Sequence, residues 1–185
     1  MHRAAARKIA EARSDIARAL VLDPLNAYAY RVAGTVSLIA GDNVRALGEF
    51  DRALDRNPTG ALIHALRAQV YAALGRWKDA RDSYAKEPSE IFKQQGLAIA
   101  HWKLANPNAA RTAFRALIAG GNSVDYQKAQ VLAEWGEPNA ALNALETAHK
   151  NGDAGLAQLH TDQFLVTLRN MPRFLALQRA IGFVS

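Results

Sequence analysis

Ala19-Leu20 followed by Pro24 recurs as Ala53-Leu54 followed by Pro58, with the two prolines 34 residues apart. Two anchors held at one offset constrain this chain more than any single motif, because a fixed period of this size is what stacked, self-similar units leave in a sequence. Between the anchors, the segment AYAYRVAGTVSLIAGDNVRALGEFDRALDRNP puts Tyr30, Ala33, Gly34 and Ser37 on one stripe of a first helix. It puts Ala46, Phe50 and Ala53 on one stripe of a second, with Gly41-Asp42 between them. The spacing predicts helix, turn, helix. Gly34 and Ala46 fall where two antiparallel helices cross, and a large side chain at either place would push the backbones apart. Phe50 fills the space they leave.

On these residues the unit at 27–58 resembles a tetratricopeptide (TPR) repeat. The resemblance implies an all-α fold, an α-α superhelix in which antiparallel helix pairs stack as a solenoid. It also implies an interaction scaffold, not a catalytic pocket, and leaves the partner open.

Reading the anchors along the chain gives a solenoid over residues 1–152 and capping helices over 153–185. Residues 4–24 read as a half repeat, a lone second helix with Ala12, Ile16 and Ala19 facing the core. Its apolar Ile9 and Ile16 then need a partner. Full repeats follow at about 27–58, 61–87, 91–121 and 122–151. In the second of these, Tyr71, Gly75, Ala80 and Tyr84 keep register, but Glu87-Pro88 arrives early, so its second helix should stop short. The third keeps Ala110 and Phe114 and replaces the loop glycine by Ala105-Asn106-Pro107, a helix stop and restart. Thr161-Asp162 and Met171-Pro172 read as the starts of two short helices whose apolar face is Phe164, Leu168, Phe174, Leu177 and Ile181. Such a face suits a cap on the open end of a stack.

The last third, from Asp125 to Phe183, also resembles the C-terminal tetratricopeptide region of bacterial multidomain regulators, those with adenylate cyclase or winged-helix domains. Their capping pattern is matched by Leu168-Arg169 and Pro172-Arg173-Phe174; Gln163 stands where a proline is usual, and Asn170-Met171 where an aspartate precedes Pro172. This resemblance implies a regulatory or assembly module of a larger signalling protein.

Half the residues are hydrophobic, enough for a continuous core. No run of eighteen apolar residues or secretory signal stands out, which favours the cytoplasm, with a periplasmic fragment of a membrane-anchored regulator as the alternative. Cysteine is absent, so disulfide and thiol chemistry are excluded. The net charge of +6, from 23 Lys and Arg against 17 Asp and Glu, is compatible with an acidic partner. The densest basic segment, Arg3, Arg7, Lys8, Arg13 and Arg18, is interleaved with Glu11 and Asp15 at helical spacing and reads as a solvated face, not a nucleic-acid site.

Nothing in the sequence reads as catalytic, metal-binding or cofactor-binding. His2, His64, His101, His149 and His160 lack the paired spacing of a metal site. The glycine cluster Gly120-Gly121 is not followed by the Lys and Ser or Thr of a phosphate loop, and no serine sits in a Gly-x-Ser-x-Gly context. In this kind of repeat the first helices line the concave surface, and the places not required by the core stripe give the candidate peptide-binding groove: Tyr28, Arg31, Thr35, Gln69, Phe92, Gln95, Trp102, Tyr126 and Gln130, with Ser123 at the same register. Aromatic and amide chemistry of this type fits an extended peptide or a helix. Self-association through the N-terminal helix, as a homodimer, is the alternative. A small-ligand or enzymatic site around His101 and Trp102 is the remote one.

Overall fold

The computed structural model describes residues 2–120 and 124–183, with side chains from residue 7 onward. Gly121 of the glycine cluster and the groove position Ser123 lie outside the described residues. Every regular element among those described is helical. The chain forms two compact units, residues 1–89 and 90–185.

The first unit contains α1 (His2–Leu22), α2 (Ala27–Ile39), α3 (Asn43–Arg56), α4 (Ile63–Ala73) and α5 (Trp77–Ala85). α2 pairs with α3 and α4 with α5 as antiparallel hairpins, while α1 packs against α2. Local chemistry starts α2 and α3: the Asn26 side chain accepts from Ala29 N–H at 2.9 Å, and Asp42 accepts from Arg45 N–H at 3.2 Å. Gly41 turns the chain between them at φ +77°, a conformation that costs glycine nothing. The crossing is as tight as the small residues imply. A Cβ added at Gly34 would lie 2.6 Å from Phe50 Cε1. Phe50 is fully buried with Ala46, Ala53, Ile63 and Val70.

Two features of this unit differ from a regular stack. α5 ends at Ala85 and gives way to Glu87-Pro88, so it is shorter than α3. α1 buries none of its residues from Arg7 onward; Ala12 and Ile16 are only partly covered, and Ala19, expected in the core, is exposed. The reason is that α1 has a single helix, α2, to pack against in substance.

The second unit contains α6 (Glu90–Lys103), α7 (Pro107–Ala119), α8 (Asp125–Glu134), α9 (Pro138–Lys150), 3-10 turns at Ala154–Gln158 and Gln163–Leu168, and α10 (Pro172–Ala180). α6 pairs with α7 and α8 with α9. At the α6–α7 corner Ala105 takes φ +55°, Asn106 caps α7 by accepting from Ala109 N–H, and Pro107 sits in its first turn. The end of the chain forms a helical cap. Leu156, Leu159, Leu165, Leu168, Phe174 and Leu177 join Leu142 and Leu145 in one core. Arg173 holds α10 against α9 through Glu146 at 2.8 Å and Asn143 at 2.7 Å, and Arg169 donates to the Asp162 carbonyl at 3.1 Å.

Candidate functional site

In the first unit, the α2 stripe made of Ala29, Ala33, Gly34 and Ser37 is buried, which turns Tyr28, Arg31 and Thr35 toward another face. Tyr28 is 66% exposed, and the Arg31 guanidinium lies over its ring, 4.8 Å from the centroid. Thr35 Oγ1 donates to the Arg31 carbonyl at 3.0 Å, tying the three residues into one surface along successive turns. Gln69, on α4, is half-buried and engaged in interactions of its own.

The second unit treats its expected groove residues differently. Tyr126 is 2% exposed and its hydroxyl donates to Asp162 Oδ2 at 2.7 Å; Gln130, 7% exposed, donates to the same oxygen at 2.6 Å. Phe164 N–H completes the set on Asp162 Oδ1 at 2.8 Å. These two side chains therefore hold the cap to α8 and do not face an open groove. Burial and the Asp162 carboxylate push the Tyr126 phenol far above its ordinary pKa, so it stays a neutral donor. Gln95 is likewise buried, at 2% exposure, and its amide nitrogen has no hydrogen-bond partner among the described residues. Phe92 is half-buried on α6. Trp102 stacks on Trp135 with centroids 5.1 Å apart, and Trp135 in turn meets Phe114 at 5.0 Å and donates to the Ala98 carbonyl at 3.3 Å. Trp102 thus spends one face on packing within its unit.

Sequence reasoning missed the carboxylates that position the first helices. α4 has no side-chain cap of its own, and Glu87, fully buried, supplies one: Leu62 N–H donates to Oε1 at 2.9 Å and Ala65 N–H to Oε2 at 3.0 Å. α8 also lacks a local cap, and Asp153 accepts from Tyr126 N–H at 3.4 Å. In both cases an acid just beyond the second helix of a pair reaches back to the N-terminus of the first, where orphan N–H groups and the helix dipole favour negative charge. The signal in the sequence is an acid just past the second helix of these two helix pairs, Glu87 and Asp153, with no residue pattern to show that it faces the earlier helix.

No cluster of three or more metal-ligating side chains occurs among the described residues. His64 is half-buried, its Nδ1 has no hydrogen-bond partner among the described residues, and burial lowers its pKa, so it is neutral at neutral pH. No described helix is long and apolar enough to cross a membrane.

A tetratricopeptide-repeat family profile matches residues 1–61 and 38–90. No curated protein sequence matches the chain. Among solved structures the chain is similar to PilW, a widely conserved type IV pilus biogenesis factor, at TM-score 0.61 and 16% identity, over 95% of this chain and 86% of that one. It is similar to YrrB, a TPR protein with an unusual peptide-binding site, at TM-score 0.54 and 17% identity over 89% of each chain. It is also similar to the APC/C hetero-tetramer Cut9-Hcn1, at TM-score 0.57 and 17% identity, over 95% of this chain and 40% of that one. At these identities the likeness is one of fold.

Proposed function

Starting from a chain with the tetratricopeptide fold, we propose that it is a noncatalytic scaffold that binds a protein partner, presented as an extended peptide or a helix. The observation that carries this reading is the Tyr28–Arg31 pair, a largely exposed aromatic with a guanidinium over its ring on a first helix whose core stripe is already spent elsewhere. Tyr and Arg are among the residues enriched at the energetic centres of interfaces, since each offers large contact area together with directional hydrogen bonding. YrrB, described as carrying a peptide-binding site, and PilW, a biogenesis factor, support the class of function and not a partner. Thr35 and Gln69 extend this surface on the first unit, and Phe92 and the free side of Trp102 are the corresponding candidates on the second.

The test is capture of partners from lysate by the chain and by a Tyr28→Ala, Arg31→Ala variant of unchanged helicity. Loss of specific bands supports the assignment; identical capture removes it from this face. The retained cap residues Leu168-Arg169 and Pro172-Arg173-Phe174 support a role as the regulatory or assembly module of a bacterial signalling protein. A second reading, homodimerisation through the N-terminal helix, is favoured by Val21, Leu22 and Leu25, which are 81%, 86% and 73% exposed where α1 turns into α2. Light scattering across a concentration series separates the two, since only the dimer gains mass with concentration.

A further inference from the structure

On the opposite side of α2 from Tyr28 lies a cleft. Tyr30 follows Tyr28 by two residues, about 200° around the helix at 3.6 residues per turn. It lines the cleft with Ala33 of α2, with Ile16, Ala17 and Leu20 of α1, and with a rim of Arg13, Arg45, Glu49 and Arg52. The opening exists because α1 leans mainly on α2, so the space between α1 and α3 is left partly unfilled. Its volume, about 130 Å³, is below the roughly 300 Å³ at which small-molecule sites begin. It has room for a side chain or two and none for a nucleotide.

The charges around this cleft do not balance. Glu49 is already engaged on both oxygens, since Ser37 Oγ donates to one at 2.7 Å and Arg45 Nε to the other at 2.9 Å. Asp42 caps α3 through Arg45 N–H and approaches Arg13 Nη2 only at 3.8 Å, beyond hydrogen-bond range. Arg13 Nε is buried without a hydrogen-bond partner among the described residues. Among the described residues the Arg52 guanidinium has no ion pair within 4.0 Å, and it lies 6.0 Å from the Tyr30 ring centroid. Two guanidiniums suited to carboxylate bonding, Arg13 held only by the long ion pair to Asp42 and Arg52, thus flank an apolar floor.

We propose that the α1–α2–α3 cleft is a docking site for an acidic peptide segment, in which an Asp or Glu side chain bridges Arg13 and Arg52 and a neighbouring apolar side chain enters between Ile16, Leu20 and Tyr30. The net charge of +6 favours approach of such a segment. The inference rests on the scaffold reading but uses the face of α2 turned away from Tyr28 and Arg31, so the two can fail separately.

The experiment uses a labelled hexapeptide of alternating glutamate and leucine, with a glutamine-for-glutamate control, titrated by fluorescence anisotropy at low salt. Methyl NMR reads Ile16, Leu20 and Ala33 in parallel. The acidic peptide is expected to bind at least about tenfold more tightly than the control, a 1.4 kcal/mol difference, and to shift the methyl signals of those three residues. Arg13→Gln with Arg52→Gln abolishes that preference. Arg111→Gln on the second unit, which removes one positive charge far along the sequence, leaves it, and Tyr28→Ala with Arg31→Ala leaves it too. Equal binding of the two peptides, binding unchanged by the Arg13 and Arg52 substitutions in a protein of unchanged helicity, or no binding at about 1 mM peptide overturns the proposal. So does binding that shifts only residues on the Tyr28 face, which would leave the scaffold reading standing alone.

Discussion

The Glu87 carboxylate accepts hydrogen bonds from the backbone N–H of Ala65 and of Leu62, reaching back across a helix pair to start the helix that begins it. Leu62 sits at φ +71°, a left-handed conformation that costs a non-glycine residue about 1–3 kcal/mol and is held by that bond together with the buried start of α4. Ser89 N–H adds a third bond at 3.1 Å. The early Glu87-Pro88 that breaks the repeat pattern is therefore a cap, placed where the shortened α5 lets the chain return to α4.

Glu87→Gln keeps the size of the side chain but turns an NH2 group toward at least one of the three backbone donors. It is expected to destabilise the protein by about 1–3 kcal/mol, the cost of leaving a buried polar group unsatisfied. Urea unfolding measures the loss, and hydrogen exchange should quicken in the first turn of α4 while the first turn of α2, capped by Asn26, is unchanged.

Gly34→Ala puts a methyl group into the ring of Phe50 and is expected to cost about 1–3 kcal/mol by overpacking. Phe50→Leu in the same chain should recover part of that loss, so a double-mutant cycle reads a coupling of opposite sign to the single effects. Additive losses would show that the contact between Gly34 and Phe50 is not what requires the glycine.

Tyr126→Phe removes one of the donors on Asp162 and is expected to lower stability by about 1–3 kcal/mol through the buried acceptor it leaves under-bonded. Capture of partners by the Tyr28 face should not change. A loss of capture with full stability would return Tyr126 to the binding surface.

His64 makes stability depend on pH. Burial lowers its pKa, so above the unfolded value of about 6.5 both states are neutral and its contribution is present in full. As pH falls through the lower folded value, the unfolded chain takes up the proton first and that contribution is lost. His64→Gln should flatten the decline between neutral and mildly acidic pH, as measured by the urea midpoint; an identical decline in both proteins would assign the slope to other groups.

The helix pairs were legible in the sequence where the determining chemistry is local. Asn106-Pro107 restarts a helix because Asn accepts from an N–H three residues on and Pro fits the first turn, and Asp162 starts its 3-10 turn by accepting from Phe164 N–H. Gly34 and Phe50 announced their crossing because only a missing side chain lets a ring sit there. Groove membership was legible only where every neighbour repeats. Tyr126 and Gln130 hold groove register, yet Asp162, 36 and 32 residues further on, folds back onto them and takes them into the core.

The 34-residue offset and the apolar stripes, by themselves, determined that this chain makes antiparallel helix pairs, since periodicity and turn chemistry act over a few residues. Tertiary structure alone decided which acids cap which helices, which expected groove residues are buried by the cap, and that Arg13 and Arg52 border one cleft. Each of these depends on a contact between residues distant in sequence. Such contacts are set by how packed helices come to rest, and no local pattern encodes them.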